Sequence, residues 1–182
     1  MKNRYKTLLA TAVFISSISS SFAQQTYTKE NYEAAKKQAE ATYDTHIKAC
    51  SSLKDNAEDV CKAKAKAQKV RSIAYGEAHY KNTPKATQNA LIDIADSEYK
   101  LAKEMCDDHQ GNAKDVCLKE ANAKHVSAVA DAKAGKKTAD AIHEAVEDKT
   151  DANYKLEKEK CDALKEAAKD ECEKKVKAQF NK

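Results

Sequence analysis

Residues 99–117 read YKLAKEMCDDHQGNAKDVC, and residues 154–172 read YKLEKEKCDALKEAAKDEC. The two stretches match at 11 of 19 positions, and in each a tyrosine is followed by a cysteine after 7 residues and by a second after 11 more. The same spacing occurs at Tyr43, Cys50 and Cys61, so the three copies start 56 and then 55 residues apart. Self-similarity at a fixed period indicates a repeat architecture.

The composition around these copies predicts helices. Ala, Glu, Lys, Leu and Arg make up about half of residues 24–182, a value typical of long helices. The same 159 residues hold only 19 Leu, Ile, Val and Phe, so the core must be thin and rich in alanine. No alternating run of β-branched residues indicates a sheet. We therefore predict an all-α fold, a three-fold repeat of long amphipathic helices.

Two short segments mark expected breaks between the copies. Asn82-Thr83-Pro84 is typical of a helix end followed by a threonine N-cap with proline at the first helical position. Gly135 to Thr138 read as a glycine C-cap followed by another threonine N-cap. The expected domain is residues 24–182, with repeats at about 29–84, 85–139 and 140–182.

The six cysteines are an even number at fixed spacing in what we expect to be an exported chain. This pattern predicts a disulfide framework, formed by Cys50, Cys61, Cys106, Cys117, Cys161 and Cys172. Two arrangements of it are open.

In the first arrangement, each cysteine pair flanks the turn of a helical hairpin. Gly111 would end one helix in the left-handed conformation, and Asn112 would cap the next with Asp115 completing a capping box. Asp55-Asn56 and Asp59 hold the equivalent places in the first copy. A disulfide closing so short a loop stabilises the fold by about 3 kcal/mol.

In the second arrangement, each copy is one straight helix in an up-down bundle. At about 100° per residue, the tyrosine and both cysteines then share one stripe, and cysteines about 16 Å apart along a helix cannot bond each other. They would pair between helices, for example Cys50 with Cys117 and Cys61 with Cys106. The segment from Leu164 to Lys169 favours this view because it contains no turn signal.

The start of the chain predicts a secretory signal peptide at residues 1–23. Met1 to Lys6 is basic, Thr7 to Ser21 is mostly apolar and small, and Ser21-Phe22-Ala23 offers small residues at the −1 and −3 positions of a cleavage site after Ala23. The apolar stretch is too short for a spanning helix. We expect a periplasmic or secreted protein.

Candidate chemical groups are few. His109 follows Cys106 by three residues and His46 precedes Cys50 by four, spacings that can place both side chains on one helix face. The histidines do not recur in register, however, and disulfides would consume the thiolates that a metal needs. We predict no catalytic, cofactor or metal residues, and we expect Tyr43, Tyr99 and Tyr154 to pack between helices with the hydroxyl at the rim.

Charge and apolar content limit the possible partners. After signal cleavage the chain would hold 30 basic and 29 acidic residues, so no basic patch indicates nucleic acid. Phe180 would be the only phenylalanine left, and the chain has no tryptophan, so stable membrane insertion is not expected. Long alanine-rich helices with little core favour binding to a protein or envelope partner, or self-association.

The segment Y-x-L-x-K-E-x-C-D…G-N-A-K-D-V-C resembles repeats in uncharacterised exported proteins of Gram-negative bacteria, mainly β-proteobacteria, some described as TolA-like or cell envelope biogenesis proteins. The resemblance covers most of the chain after residue 23 and implies no catalytic residues. The composition also resembles late-embryogenesis-abundant stress proteins. We expect a non-catalytic structural, binding or envelope-stress role. The alternatives are a metal-handling protein that uses Cys and His, or a helical stress protectant.

Overall fold

The computed structural model describes residues 27–182 and places five helices there, with no strand among them. They are α1 (Lys29–Cys50), α2 (Asp55–Lys81), α3 (Pro84–Cys106), α4 (Gly111–Cys161) and α5 (Glu166–Phe180). The predicted all-α fold is therefore confirmed. The predicted signal peptide at residues 1–23 lies outside the described residues.

Local sequence signals set the ends of the first three helices. Thr28 and Asn31 form a reciprocal capping box at the start of α1. Asn82 ends α2 in the left-handed conformation, and the Thr83 hydroxyl accepts a hydrogen bond from the Ala86 backbone N–H at 3.1 Å, with Pro84 as the first residue of α3. The break predicted at residues 82–84 is confirmed.

Each cysteine pair closes a helical hairpin. The disulfides join Cys50 to Cys61, Cys106 to Cys117 and Cys161 to Cys172, with Cα–Cα distances of 5.6, 5.6 and 5.7 Å. In each hairpin the first cysteine is the last residue of one helix, and the second is on the first turns of the next. The structure therefore shows the hairpin arrangement, and it shows it also in the third copy, for which the sequence left the question open. The alternative of straight helices with disulfides between copies is wrong because the backbone reverses within each copy.

The turns differ from the predicted capping scheme. Gln110, not Asn112, is the N-cap of α4, and it makes no side-chain capping bond. Gly111 has a φ of +56° as predicted for a left-handed residue, but it begins α4 and does not end α3. Asp55 and Glu166, at the same place in the other two turns, have φ values of +52° and +51°. The turn geometry thus recurs although only one copy has a glycine there.

The left-handed residues allow a first prediction. A side chain in this conformation costs about 1–2 kcal/mol, and glycine loses about 0.5–1 kcal/mol more entropy on folding than alanine. Glu166→Gly should therefore raise the free energy of unfolding by about 0.5–1 kcal/mol in a urea titration with disulfides intact. Gly111→Glu, the reverse change in the second turn, should lower it by a similar amount. A loss of stability in Glu166→Gly would contradict the strain assigned to this turn.

Helix α4 runs without a break through the segment predicted to divide the second and third copies. Gly135 and Thr138 lie inside its 51 residues. The Thr138 hydroxyl donates to the Ala134 carbonyl at 3.0 Å, one turn back, so it continues the helix and does not cap a new one. Lys136 pairs with Asp140 across the same turn. The predicted C-cap and N-cap at residues 135–138 are wrong, because one interior glycine costs only about 1 kcal/mol among good helix formers.

The helices form an open row and not a closed bundle. Within residues 27–182, each helix packs only against its neighbours in sequence, α1 on α2, α2 on α3, α3 on α4 and α4 on α5. The buried side chains are mostly alanine and cysteine, as the composition predicts. The central cluster is Ala74 of α2 with Ala90 and Ile94 of α3. Both faces of the row remain open to solvent.

Candidate functional site

A groove lies along α2 and α3 on one face of the row. It has a volume of about 860 Å³ and reaches Tyr43 of α1 at one side. Its floor includes Ala74 and Ser97, which are both buried. Helices that pack closely through small side chains leave such a depression between the longer side chains on either side.

Charged side chains line both walls of this groove. The α2 wall carries three lysines spaced by four and three residues, which places them on one helix face: Lys62, Lys66 and Lys69. One acidic residue lies at each end of this row, Asp59 and Glu77. The α3 wall is mainly acidic, with Asp93, Asp96 and Glu104 beside Lys100. The middle of the groove therefore presents lysines of α2 opposite a mainly acidic α3 wall.

Some of these charges already have partners. Lys62 donates to Glu58 at 2.7 Å, and this hydrogen bond raises the pKa of Lys62 above its ordinary value, so the ammonium keeps its charge. The Lys69 ammonium lies 3.9 Å from the centre of the Tyr43 ring, a cation–π contact. Among residues 27–182, Lys66 and Lys100 make no ion pair. These two lysines can bind a carboxylate of a partner without breaking an existing bridge.

The floor of the groove offers little for chemistry beyond contact and charge pairing. Ser97 donates its hydroxyl to the Ile94 carbonyl at 2.9 Å, and the lining contains neither histidine nor cysteine. The arrangement is suited to binding a segment with apolar and charged side chains.

The three predicted packing tyrosines are half-buried, and each meets the next helix. Tyr43 contacts Lys69, Tyr99 stacks on His125 with ring centres 4.9 Å apart, and Tyr154 meets Phe180 edge to face at 5.8 Å. In every case the partner follows the tyrosine by 26 residues. The sequence analysis missed these partners because their types differ, but the constant offset is a signal that could have found them.

His125 links this tyrosine contact to the groove wall. Its Nε2 lies 2.6 Å from Oδ1 of Asp96, while the ring stacks on Tyr99. Asp96 also lines the groove. The α3·α4 contact therefore fixes one of the acidic groups that face α2.

The first two hairpins are joined at their turns by Asn56. Its side-chain amide donates to the Glu104 carbonyl at 3.0 Å and to Asp108 Oδ1 at 2.7 Å. The sequence analysis placed Asn56 in a capping role within its own hairpin, whereas the side chain in fact reaches the neighbouring hairpin. Glu104 also lines the groove, so this contact lies next to one end of it.

The disulfides decide what the cysteine and histidine pairs can do. All six sulfurs are bonded, so His46 and His109 have no thiolate beside them. No group of three or more potential metal ligands occurs within residues 27–182. Three intramolecular disulfides are typical of an oxidising, exported environment.

No helix of the described residues combines the length and the apolar character needed to cross a membrane. Comparisons of the chain with known protein families, with curated proteins and with solved structures found no match.

Proposed function

We propose that this protein is an exported, non-catalytic helical repeat protein that acts in the periplasm as a structural or binding component, with the α2–α3 groove as its binding surface. The signal peptide predicted at residues 1–23 would direct the chain there. An envelope role is what the resemblance to exported repeat proteins implies.

The repeat itself is part of this proposal. Several features share the offsets of 56 and 55 residues: the disulfides, the left-handed turn residues, and the tyrosines with their partners on the next helix. We take each copy as one stapled hairpin whose core is too thin to stand well alone. The disulfide then stabilises a hairpin that buries too little apolar surface to be stable without it.

The open row of helices with its two-signed groove is the observation that carries the binding role. A row one helix thick has a large surface for its mass, and its groove places lysines and carboxylates on opposite walls. Charge complementarity of this kind gives specificity and orientation to a protein partner. A metal-handling role is not supported, since disulfides occupy the sulfurs it would use.

The binding role can be tested by site-specific photo-crosslinking in cells. Replacing Lys66 by p-benzoylphenylalanine puts the probe on the groove wall, while the same change at Lys64 puts it two residues away on the same helix, outside the groove lining. We expect a discrete protein adduct from position 66 and none from position 64. The adduct should lie in the periplasmic fraction, with Gln24 as the first residue of the protein.

Equal labelling from both positions, or no adduct from either, would refute the groove as a binding surface. Retention in the cytoplasm with an intact N-terminus would refute export. The crosslinking result and the export result are independent of each other.

A further inference from the structure

Helix α4 has a central part that no other helix of the row covers. It is about 76 Å long at 1.5 Å per residue. Helix α3 begins beside Gly135 and Ala139, and the end of α5 reaches only to Asp151, where Lys182 forms an ion pair at 2.8 Å. Residues 140–149 between them are all exposed. Two faces of α4 are open as a result.

The first open face lies on the amino-terminal half of α4, and it corresponds to the face of α2 that packs on α3. An offset of 56 residues relates the exposed alanines and valine of α4 to residues of α2 that pack on α3. Val126 is 58% exposed and corresponds to Val70, which is half-buried, while the exposed Ala130 corresponds to Ala74, 6% exposed in the core cluster. The amino-terminal half of α4 thus has the contact surface of α2 without a partner.

The second open face lies on the carboxyl-terminal half of α4, and it corresponds to the face of α3 that packs on α2. An offset of 55 residues relates the carboxyl-terminal half of α4 to α3. Leu156 is 54% exposed and corresponds to the half-buried Leu101, and the exposed Ala145 corresponds to Ala90, 4% exposed. Both halves of an α2·α3-like interface are therefore present on α4.

These two faces cannot meet within one chain. In the first two copies the chain reverses at Asn82 and Thr83, which lets α3 fold back on α2. At the corresponding place, Gly135 to Thr138, α4 continues straight. A rigid helix keeps its two halves end to end, so only a second copy can bring the complementary face.

The charges of the two halves are also complementary. Residues 118–138 contain five lysines and two acids, a net charge of +3, whereas residues 139–159 contain seven acids and three lysines, a net charge of −4. An antiparallel pair of α4 helices places each basic half along an acidic half. A parallel pair would place like charges together, which is unfavourable.

We propose that two copies of this protein associate through α4, antiparallel, about a two-fold axis close to Thr138. Each amino-terminal half of α4 then packs on the carboxyl-terminal half of the other copy, as α2 packs on α3. The interface is isologous and closes on itself, so it yields a dimer and not a filament. It does not involve the α2–α3 groove and so does not depend on the function proposed above.

A two-fold axis close to Thr138 identifies specific pairs, because residues at equal distances on either side of the axis face each other in an antiparallel pair. Lys133 of one copy lies opposite Glu144 of the other, and Lys119 lies opposite Glu159. Within one chain, Lys133 and Glu144 are 11 residues apart on a straight helix, about 16 Å, so they cannot pair there. Lys149 takes the place of Ile94, so the interface has fewer apolar contacts and depends more on charge than α2·α3 does.

Charge reversal tests both the interface and its direction. The variants Lys119→Glu/Lys133→Glu and Glu144→Lys/Glu159→Lys each turn four attractive pairs of the dimer into repulsive ones. Multi-angle light scattering over a concentration series should show a dimer for the oxidised wild type, and about 100-fold weaker association for each variant alone. An equimolar mixture of the two variants should again form a dimer, because all four pairs are then attractive in the heterodimer.

Two further variants separate the interface from general effects. Val126→Glu places a charge in the open face and should leave a monomer that mixing does not rescue. Asp131→Lys changes a charge on an exposed residue about 140° around the helix from Val126, outside that face, and should leave the dimer intact. Circular dichroism should show unchanged helicity in both variants. A monomeric wild type would overturn the proposal, whether elongated or compact, and a compact monomer would indicate reversal of α4 at Gly135. Failure of the mixed variants to associate would overturn it as well.

Discussion

Replacing Cys161 and Cys172 together by serine should release helix α5 from the protein. Helix α5 has 15 residues, and Val176 is its only buried residue. Isolated helices of this length are marginal in water, and the edge contact between Tyr154 and Phe180 adds little. The disulfide is therefore the main constraint on this hairpin, and its removal withdraws about 3 kcal/mol.

Hydrogen exchange with peptide resolution measures this effect. Protection of the amides in residues 166–180 should fall by about 100-fold, since 1.36 kcal/mol corresponds to a factor of ten. The matched control is Cys106→Ser/Cys117→Ser, which removes the same kind of bond from the second hairpin. There α3 and α4 remain in contact through the buried Ala95 and Ala121 and through Tyr99 on His125.

This control should lower the melting temperature without freeing either helix. If α5 kept its protection in the first variant, the disulfide would not be the constraint that we assign. An unchanged melting temperature in the control would remove the structural role of the second disulfide.

The substitution Ala90→Glu should separate α2 from α3. Ala90 is buried in the cluster with Ala74 and Ile94, and this cluster is the centre of the contact between the first two hairpins. A glutamate there overpacks the interface and buries a charge, which together cost about 3 kcal/mol or more. Because each helix contacts only its neighbours, the row should divide into the α1–α2 hairpin and the part formed by α3, α4 and α5, and the two parts should melt separately.

Urea titration followed by circular dichroism should show this as a broad or two-step transition at lower denaturant. Asn89→Glu is the matched control, since Asn89 precedes Ala90 on the same helix and is exposed. Its effect should stay within about 0.5 kcal/mol of wild type. Equal stability of the two variants would show that the cluster does not hold the hairpins together.

Much of the fold was predictable because its signals are local. The spacing of Tyr99, Cys106 and Cys117 recurs in all three copies and led to the repeat interpretation, and the turn signal at Gly111 favoured hairpins. Thr83-Pro84 marked a helix start, since both residues act through their own backbone geometry. The third hairpin was less clear because Glu166 occupies a left-handed position that ordinarily requires glycine or asparagine.

The groove was not predicted, because its walls come from residues of α2 and α3 that are distant in sequence. In the sequence, Lys66 and Asp93 are ordinary solvated charges. Only the antiparallel contact of α2 and α3 places them around one groove. The stacking of His125 on Tyr99 was also missed, since each side chain taken separately is an ordinary exposed or amphipathic residue.

The sequence alone established the all-α class, a disulfide framework of six cysteines, and the break at Asn82. These features follow from backbone propensity, capping and loop closure, which act over a few residues. The tertiary structure decided that Gly135 to Thr138 remain helical, that the helices form an open row, and that both faces of α4 stay exposed. These outcomes depend on packing between surfaces that are far apart in the chain. The segment GKKT at residues 135–138 is compatible with either a helix or a turn, so the packing of the surrounding helices selects its conformation.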